Sequence, residues 1–270
     1  MKWNPEAEAA IKKVPFFVRN RVRARVQKDA LKEGKQRITL SEVKATQERF
    51  LTGMHAEVKG HQIDTCFGAS GCPHTVAPDW ELTDCLEKLL QRSELLKFLK
   101  LQGIQELRFH HQFRVAVAGC PNACSQPQIK DIGIIAALQP MRSDEFCTTC
   151  ETCVNSCREG AITLDHRIPG PIIDAQRCVA CGSCIPVCPT GTLAVRVQGY
   201  RIQLGGKLGR HPQLSRELPG IFDTAAIVEI VAACIDIYKS ASKHGERFGE
   251  ILRSGDISEL ARRFSKDLPK

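Results

Sequence analysis

Two near-copies of one cysteine pattern constrain this 270-residue chain more than anything else in it. They read CTTCETCVNSC from Cys147 and CVACGSCIPVC from Cys178, each spelling C-x2-C-x2-C-x3-C. In all the chain has 14 cysteines. Its opening residues are charged and lack the apolar stretch of an export signal, so a cytoplasmic address is expected. In that setting, cysteines at tight, regular spacing bind metal more often than they pair as disulfides. Thiolates two residues apart can wrap three corners of an iron–sulfur cube. A tetrahedral zinc site is the alternative, and eight cysteines in duplicated order count against it.

The duplicated run resembles that of bacterial two-cluster ferredoxins, in which the fourth cysteine of each copy serves the other cluster. The resemblance implies one [4Fe–4S] cluster on Cys147, Cys150, Cys153 and Cys188. It implies a second on Cys178, Cys181, Cys184 and Cys157. Pro189 follows the last cysteine as in the ferredoxin pattern, while Arg158 stands where the first copy would carry proline. An electron-transfer module is expected.

Around this module, helix and strand periodicities mix, which makes the class α+β. Val14, Val18, Val22, Val26 and Ala30 recur every four residues, flanked by Phe17, Ala24 and Leu31. They predict a helix that stops at Gly34. Thr39 and Glu42 have capping-box spacing ahead of a second helix, so the N-terminal unit reads as a helical hairpin. Leucines 82, 86, 89, 90, 96 and 99 predict a helix from Trp80 to Leu101. FRVAVA and DIGIIAAL read as buried strands, and AITL, TLAVRV and YRIQL as further short ones, with helices from Asp223 onward. The apolar stretch from Ile221 is interrupted by Asp223, Glu229 and Asp236, and reads as a core helix instead of a membrane span. Cys85 and Cys234 fall on apolar helical faces and are expected to be core thiols.

Charge is uneven along the chain. The net is +8, and residues 1–60 hold 14 Lys and Arg against 7 Asp and Glu. Such a region attracts anionic cofactors, acidic partners or nucleic acid. No nucleic-acid reader motif accompanies it, so nucleic acid is not the expected partner.

Four more cysteines form a third set. Cys66 and Cys72 enclose five residues of a Gly- and Pro-rich loop, and Cys120 and Cys124 enclose three in GCPNAC. C-x5-C followed by C-x3-C, with QIKDIGII and QLGGKLGRHP beyond, resembles the sirohaem and [4Fe–4S] region of sulfite and nitrite reductases. The likeness runs over residues 61–220. The cysteine module within it resembles the insertion of dissimilatory and anaerobic sulfite reductase subunits. The first sixty residues are similar instead to the C-terminal segment of a light-independent protochlorophyllide reductase subunit, through Trp3, VPFFVR, Gly34 and IT.

The resemblance implies four segments. They are a basic helical unit at 1–60, a sirohaem/[4Fe–4S] domain at 61–145 and 193–270, and a two-cluster ferredoxin-like insertion at 146–192. A third [4Fe–4S] cluster is implied on Cys66, Cys72, Cys120 and Cys124, with Cys124 also the axial ligand of a sirohaem and Asn122 beside the shared sulfur. Sirohaem's carboxylates call for cations. Lys207, Arg210 and His211 in the glycine-rich turn are the first candidates, and Arg108 and Arg114, flanking His110 and His111, the next. The implied activity is the six-electron reduction of sulfite to sulfide, with nitrite reduction or haem-free electron transfer as alternatives. Cys124 with Arg19, Arg21 and Arg23, and beside them Arg25, are the candidates for working on the oxyanion. Enzymes of this family hold two related repeats and this chain has room for one. That implies a homodimer or a paired subunit, fed by an external electron-donor protein in an anaerobic host.

Overall fold

The computed structural model describes residues 1–264 apart from 57, 79, 105–106, 166 and 168–169. The chain divides into two compact units, Met1–Lys59 with Glu106–Arg108, and Gly60–Gln105 with Phe109–Lys270.

The first unit runs β1 (Lys2–Trp3), α1 (Pro5–Lys12), α2 (Phe16–Lys32), β2 (Arg37–Ile38) and α3 (Leu40–Ala56), with β1 and β2 paired in parallel. Pro5 opens α1, where a missing N–H costs nothing. Ala7 and Ile11 of α1 pack with Val26, Ala30, Ile38 and Val43. The expected hairpin is therefore corrected to three helices and a strand pair. The sequence hides α1 because only two of its eight residues are buried. Ala24 is exposed and Leu31 is 63% exposed, so neither flanks the buried stripe. The side chains of Phe17 and Val18 lie outside the described residues. The capping pair is present: the Glu42 carboxylate accepts from the Thr39 hydroxyl at 2.6 Å and its N–H at 2.8 Å. Those two bonds hold the Glu42 carboxyl down at about 2.

The second unit runs, in chain order, β3 (His61–Thr65), α4 (Glu81–Arg92), α5 (Leu95–Leu101), β4 (Phe113–Ala118), β5 (Ile132–Arg142), α6 (Thr152–Ser156), β6 (Ile162–Leu164), β7 (Pro171–Ile173), β8 (Leu193–Leu204), β9 (Arg216–Phe222), α7 (Thr224–Ala241), α8 (Phe248–Ile251) and α9 (Ser254–Phe264). Its main sheet has the order β3-β4-β5-β8-β9; the first three strands are parallel and the last two antiparallel to their neighbours. Alternate residues of the sheet, among them Val115, Val117, Ile132, Ile134 and Ile202, meet Leu82, Leu86 and Leu90 of α4 and Ile227, Val231 and Cys234 of α7 in one core. A strand period of two thus meets a helix period of 3.6. Each fully buried aliphatic side chain there contributes roughly 1.5–3 kcal/mol. No helix among the described residues is long and apolar enough to cross a membrane.

Two expectations are corrected in this unit, and one further strand is found. The single helix from Trp80 to Leu101 is two, broken at Glu94 with φ 48. Buried Leu86 and Leu90 are followed by Leu95 and Leu99, one residue out of phase, and the break turns both stripes inward. TLAVRV and YRIQL belong to one strand, β8, because Gly199 lets it pass Phe222; a Cβ there would lie 2.5 Å from the Phe222 carbonyl. Strand β9 was hidden by Pro219 and Gly220, which an edge position tolerates.

Register fixes which end of the sheet holds which loop. Ile63 pairs with Val115, Val115 with Ile132, and Ile132 with Leu204. Cys66 and Cys120 therefore follow the far ends of β3 and β4, and the turn after Leu204 lies at the opposite end.

Candidate metal centres

The third cysteine set is organised around the ends of β3 and β4. The Cys66 sulfur accepts the N–H of Gly68 at 3.3 Å and of Gly119 at 3.1 Å. Donors aimed at sulfur favour the thiolate and tune a bound cluster. Gly119 is required, since a Cβ would stand 2.7 Å from the Thr75 hydroxyl. Thr75 and Val76 in turn donate to the Gly119 carbonyl at 3.3 and 2.7 Å, which pins the first cysteine loop onto the second. Burial pushes the Cys120 thiol up, opposed by the N–H of Asn122, and the neighbouring Cys66, Cys124 and Cys72 push it further. The four thiols thus sit within reach of one another, with Cys124 the exposed member. The Asn122 side chain is exposed at the same loop.

In the duplicated run, the thiols that influence one another come from both copies. Burial raises Cys153, whose thiol neighbours are Cys188 and Cys147. Burial pushes Cys184 up to about 12, and its neighbours are Cys181, Cys178 and Cys157. Burial likewise raises Cys178 beside Cys181 and Cys157. Cys150 is exposed, and the Thr152 hydroxyl, 3.3 Å from its sulfur, lowers it. At Cys188 burial acts upward, but hydrogen bonds from Leu193, Thr190 and Thr192 outweigh it and bring the thiol to about 7. The N–H groups of Thr149 and Ala161 point at Cys147 and Cys157, at 3.4 and 3.3 Å. Left-handed backbone at Thr149 and Glu151 recurs at the matching Ala180 and Gly182. Both turns therefore curl around a centre in the same way.

This donor chemistry fits cubane clusters: three sets of four thiols, each with N–H or O–H groups directed at sulfur. Among the described residues, no three His, Cys, Asp or Glu side chains converge on a single metal ion. A cubane takes one thiolate at each corner and needs no such convergence. Cys85 is half-buried, Cys234 is fully buried, and neither belongs to a set. A cleft of about 730 Å³ is lined by Cys120 and Asn122 together with Cys157 and Cys181.

Several of the expected cations already have partners. Lys207 is buried at the opposite end of the sheet, where its Nζ donates to Glu250 at 2.6 Å. Lys207, expected at sirohaem carboxylates, thus has Glu250 as its partner. Arg210 and His211 are exposed on the same turn. Arg114 begins β4, with its N–H on Asp131 at 2.8 Å and its guanidinium on the Phe109 carbonyl at 3.1 Å, so it too is placed away from Cys120. His110 and His111 pack on each other with ring centroids 4.0 Å apart. Arg108 is exposed and groups with the first unit. Within that unit Arg19 donates to the Lys12 carbonyl at 2.8 Å, capping α1, and Arg23 pairs with Glu8 at 3.2 Å while stacking on Trp3. Arg19 and Arg23, expected at the oxyanion, thus make these bonds within the first unit. Arg21 and Arg25 are exposed on α2. For sirohaem, then, the exposed Cys124 thiol suits an axial ligand, whereas Lys207 and Arg114 do not form a cradle for its carboxylates. Sequence reading missed Gly119, Thr152, Thr190 and Gly182. Of these, only Gly182, at the position matching Glu151, left a signal.

Comparison with known proteins shows the family. The family described as nitrite and sulphite reductase 4Fe-4S domain matches residues 63–270. The proto-chlorophyllide reductase 57 kD subunit family matches residues 3–46. A coenzyme F420-dependent sulfite reductase of Methanocaldococcus jannaschii is 35% identical over 127 residues, 47% of this chain and 20% of that protein. The dissimilatory-type sulfite reductase subunit beta of Archaeoglobus fulgidus is 33% identical over 112 residues, 38% of this chain and 31% of that one. The matched stretches thus span a third or less of these relatives. The crystal structure of dissimilatory sulfite reductase I superposes with a TM-score of 0.46 at 18% identity, covering 83% of this chain and 60% of the other.

Proposed function

This chain belongs to the nitrite and sulphite reductase 4Fe-4S domain family, and on that premise we propose that it is an electron-relaying, sirohaem-dependent subunit that reduces sulfite to sulfide. Three [4Fe–4S] clusters would be held by Cys66, Cys72, Cys120 and Cys124, by Cys147, Cys150, Cys153 and Cys188, and by Cys157, Cys178, Cys181 and Cys184. Cys124 would hold the sirohaem, which when bound would supply the redox chemistry for a six-electron reduction. The observation that carries the reading is the third set, with a shielded Cys66 sulfur and an exposed Cys124.

The protein's own residues do the rest. Gly68 and Gly119 N–H groups point at the Cys66 sulfur and orient it. Thr75 and Val76 keep the two cysteine loops in register. The oxyanion and the sirohaem carboxylates would take their cations from a second copy or a paired subunit. An external electron-donor protein feeds the duplicated run, in the cytoplasm of an anaerobic cell. Sulfite is preferred to nitrite because the curated relatives above are sulfite reductases.

A second reading is a haem-free electron carrier, favoured by the Lys207–Glu250 pair, which removes the leading carboxylate contact. Sirohaem loading of the wild type and Cys124→Ala, followed by sulfide production from sulfite with reduced methyl viologen, separates the two. The proposal expects haem absorption and sulfide in the wild type alone. Equal haem loading and sulfide output in Cys124→Ala would overturn it, and a wild type that takes up no sirohaem would leave the carrier reading.

A further inference from the structure

The two copies of the duplicated run are alike in spacing and backbone, yet the sheet treats them differently. The second turn is built into it: Leu138 N–H donates to the Ala180 carbonyl at 2.7 Å, and Leu138 and Cys181 form a parallel bridge. Arg201 of β8, paired with Glu217 of β9, adds a bond to the Val179 carbonyl at 3.2 Å. Residue 182 is glycine, and a Cβ there would lie 2.4 Å from Leu138 Cδ2 and 2.9 Å from its Cβ. The matching position of the first copy is Glu151, with nearly the same φ and its side chain exposed. The first copy is tied lower down, through the Thr192 hydroxyl on the Phe146 carbonyl at 3.1 Å.

Register turns this asymmetry into an order. Ala118 pairs with Ile135, so Cys120 leaves β4 about level with Ala137, beside the residue that bridges to Cys181. Cys147 emerges only beyond Arg142, four residues further along β5, or roughly 13 Å at about 3.3 Å per residue. Cys120 shares its cleft with Cys157 and Cys181 and with no other cysteine.

We infer that Leu138 and Gly182 are positioning residues that seat the Cys157–Cys178–Cys181–Cys184 site against β5 as the inner neighbour of the Cys66–Cys72–Cys120–Cys124 site. The Cys147–Cys150–Cys153–Cys188 site is then the outer one, and the two ferredoxin-type sites are not interchangeable. This rests on the cluster ligation proposed above, and does not depend on sirohaem. Electrons pass singly: the donor protein is oxidised as the outer site is reduced, and each transfer inward oxidises one site and reduces the next, with no bond formed or broken.

The test is low-temperature electron paramagnetic resonance of the full chain, reconstituted with iron and sulfide and reduced with dithionite. In Cys150→Ala the two remaining sites are neighbours, and their signals stay broadened by mutual spin coupling. In Cys181→Ala the remaining sites are distant, and the spectrum becomes the sum of two narrow, uncoupled signals. The reverse pattern, or coupling indifferent to either change, overturns the order. Gly182→Glu keeps every cysteine and decides the matter where Cys181→Ala does not fold. It is expected to retain about twelve irons with weakened coupling, whereas Glu151→Gly leaves the spectrum unchanged. Undiminished coupling in Gly182→Glu refutes the positioning role. Absence of sirohaem with this pattern intact sinks the reductase proposal alone, and sirohaem with the pattern absent sinks this inference alone.

Discussion

Replacing Arg247 with methionine tests how the second unit holds the start of β5, the strand that follows the Cys120–Cys124 loop. Asp131 is fully buried, and its Oδ2 accepts from Arg247 Nη2 at 2.6 Å and from the Arg114 N–H at 2.8 Å. Among the described residues its Oδ1 has no hydrogen-bond partner. Arg247→Met keeps much of the packing of the side-chain stem but leaves a carboxylate in the interior without its counter-charge. Breaking a buried pair from one side costs about 3–5 kcal/mol. At about 2–4 °C per kcal/mol for a chain of this size, the apparent Tm falls by roughly 6–20 °C. The assay is anaerobic thermal unfolding of the reconstituted protein by far-ultraviolet circular dichroism.

The pH dependence follows from the same pair. Burial raises the Asp131 carboxyl above its ordinary 3.8, against the pull of Arg247. A raised carboxyl means the folded state binds more protons, so stability falls as pH rises from the ordinary value through the raised one. Removing Arg247 raises it further, so the deficit of the variant grows from acid to neutral pH. Asp131→Asn combined with Arg247→Met removes the stranded charge and recovers at least half of the loss. A deficit under about 1 kcal/mol, against the 3–5 kcal/mol of a buried pair, or one that does not change with pH, refutes the reasoning.

Other changes read other parts of the molecule. Gly133→Ala would place a Cβ 2.3 Å from the Pro127 carbonyl, and the expected loss of about 1–3 kcal/mol from overpacking is read as a lower Tm. Glu42→Gln weakens the start of α3 by about 1 kcal/mol, the scale of a lost cap. In the wild type that contribution is complete above about 4.5 and disappears as pH falls through about 2, which helix content against pH reports. Cys85→Ala and Cys234→Ala keep the full iron and sulfide content, whereas Cys184→Ala loses a cluster; equal losses in all three would break the division between core and ligand thiols.

The ligand chemistry was the part most legible from sequence, because a metal cage demands particular residues at short, fixed spacing. The exchange of Cys157 and Cys188 between copies is what the run's resemblance implies, and these thiols are among those that influence Cys184 and Cys153. Patterns whose side chains face one core were also legible, as with Leu82, Leu86 and Leu90. What stayed hidden depended on contacts distant in sequence. Lys207 sits in a basic, glycine-rich turn that suggests anion binding, and only folding brings Glu250 to it. The docking of Gly182 on Leu138 joins two residues from separate segments. β9 was obscured by local rules that an edge strand is free to break, and α1 by a core face of just two residues.

The central claim is most directly tested by an anaerobic visible spectrum with iron and acid-labile sulfide analysis on freshly purified full-length chain. About twelve cluster irons with matching sulfide, as three cubanes require, together with isobacteriochlorin bands and one further haem iron, is the predicted result. Iron well below that level after reconstitution, or a full set of clusters with no extractable sirohaem, would contradict the account.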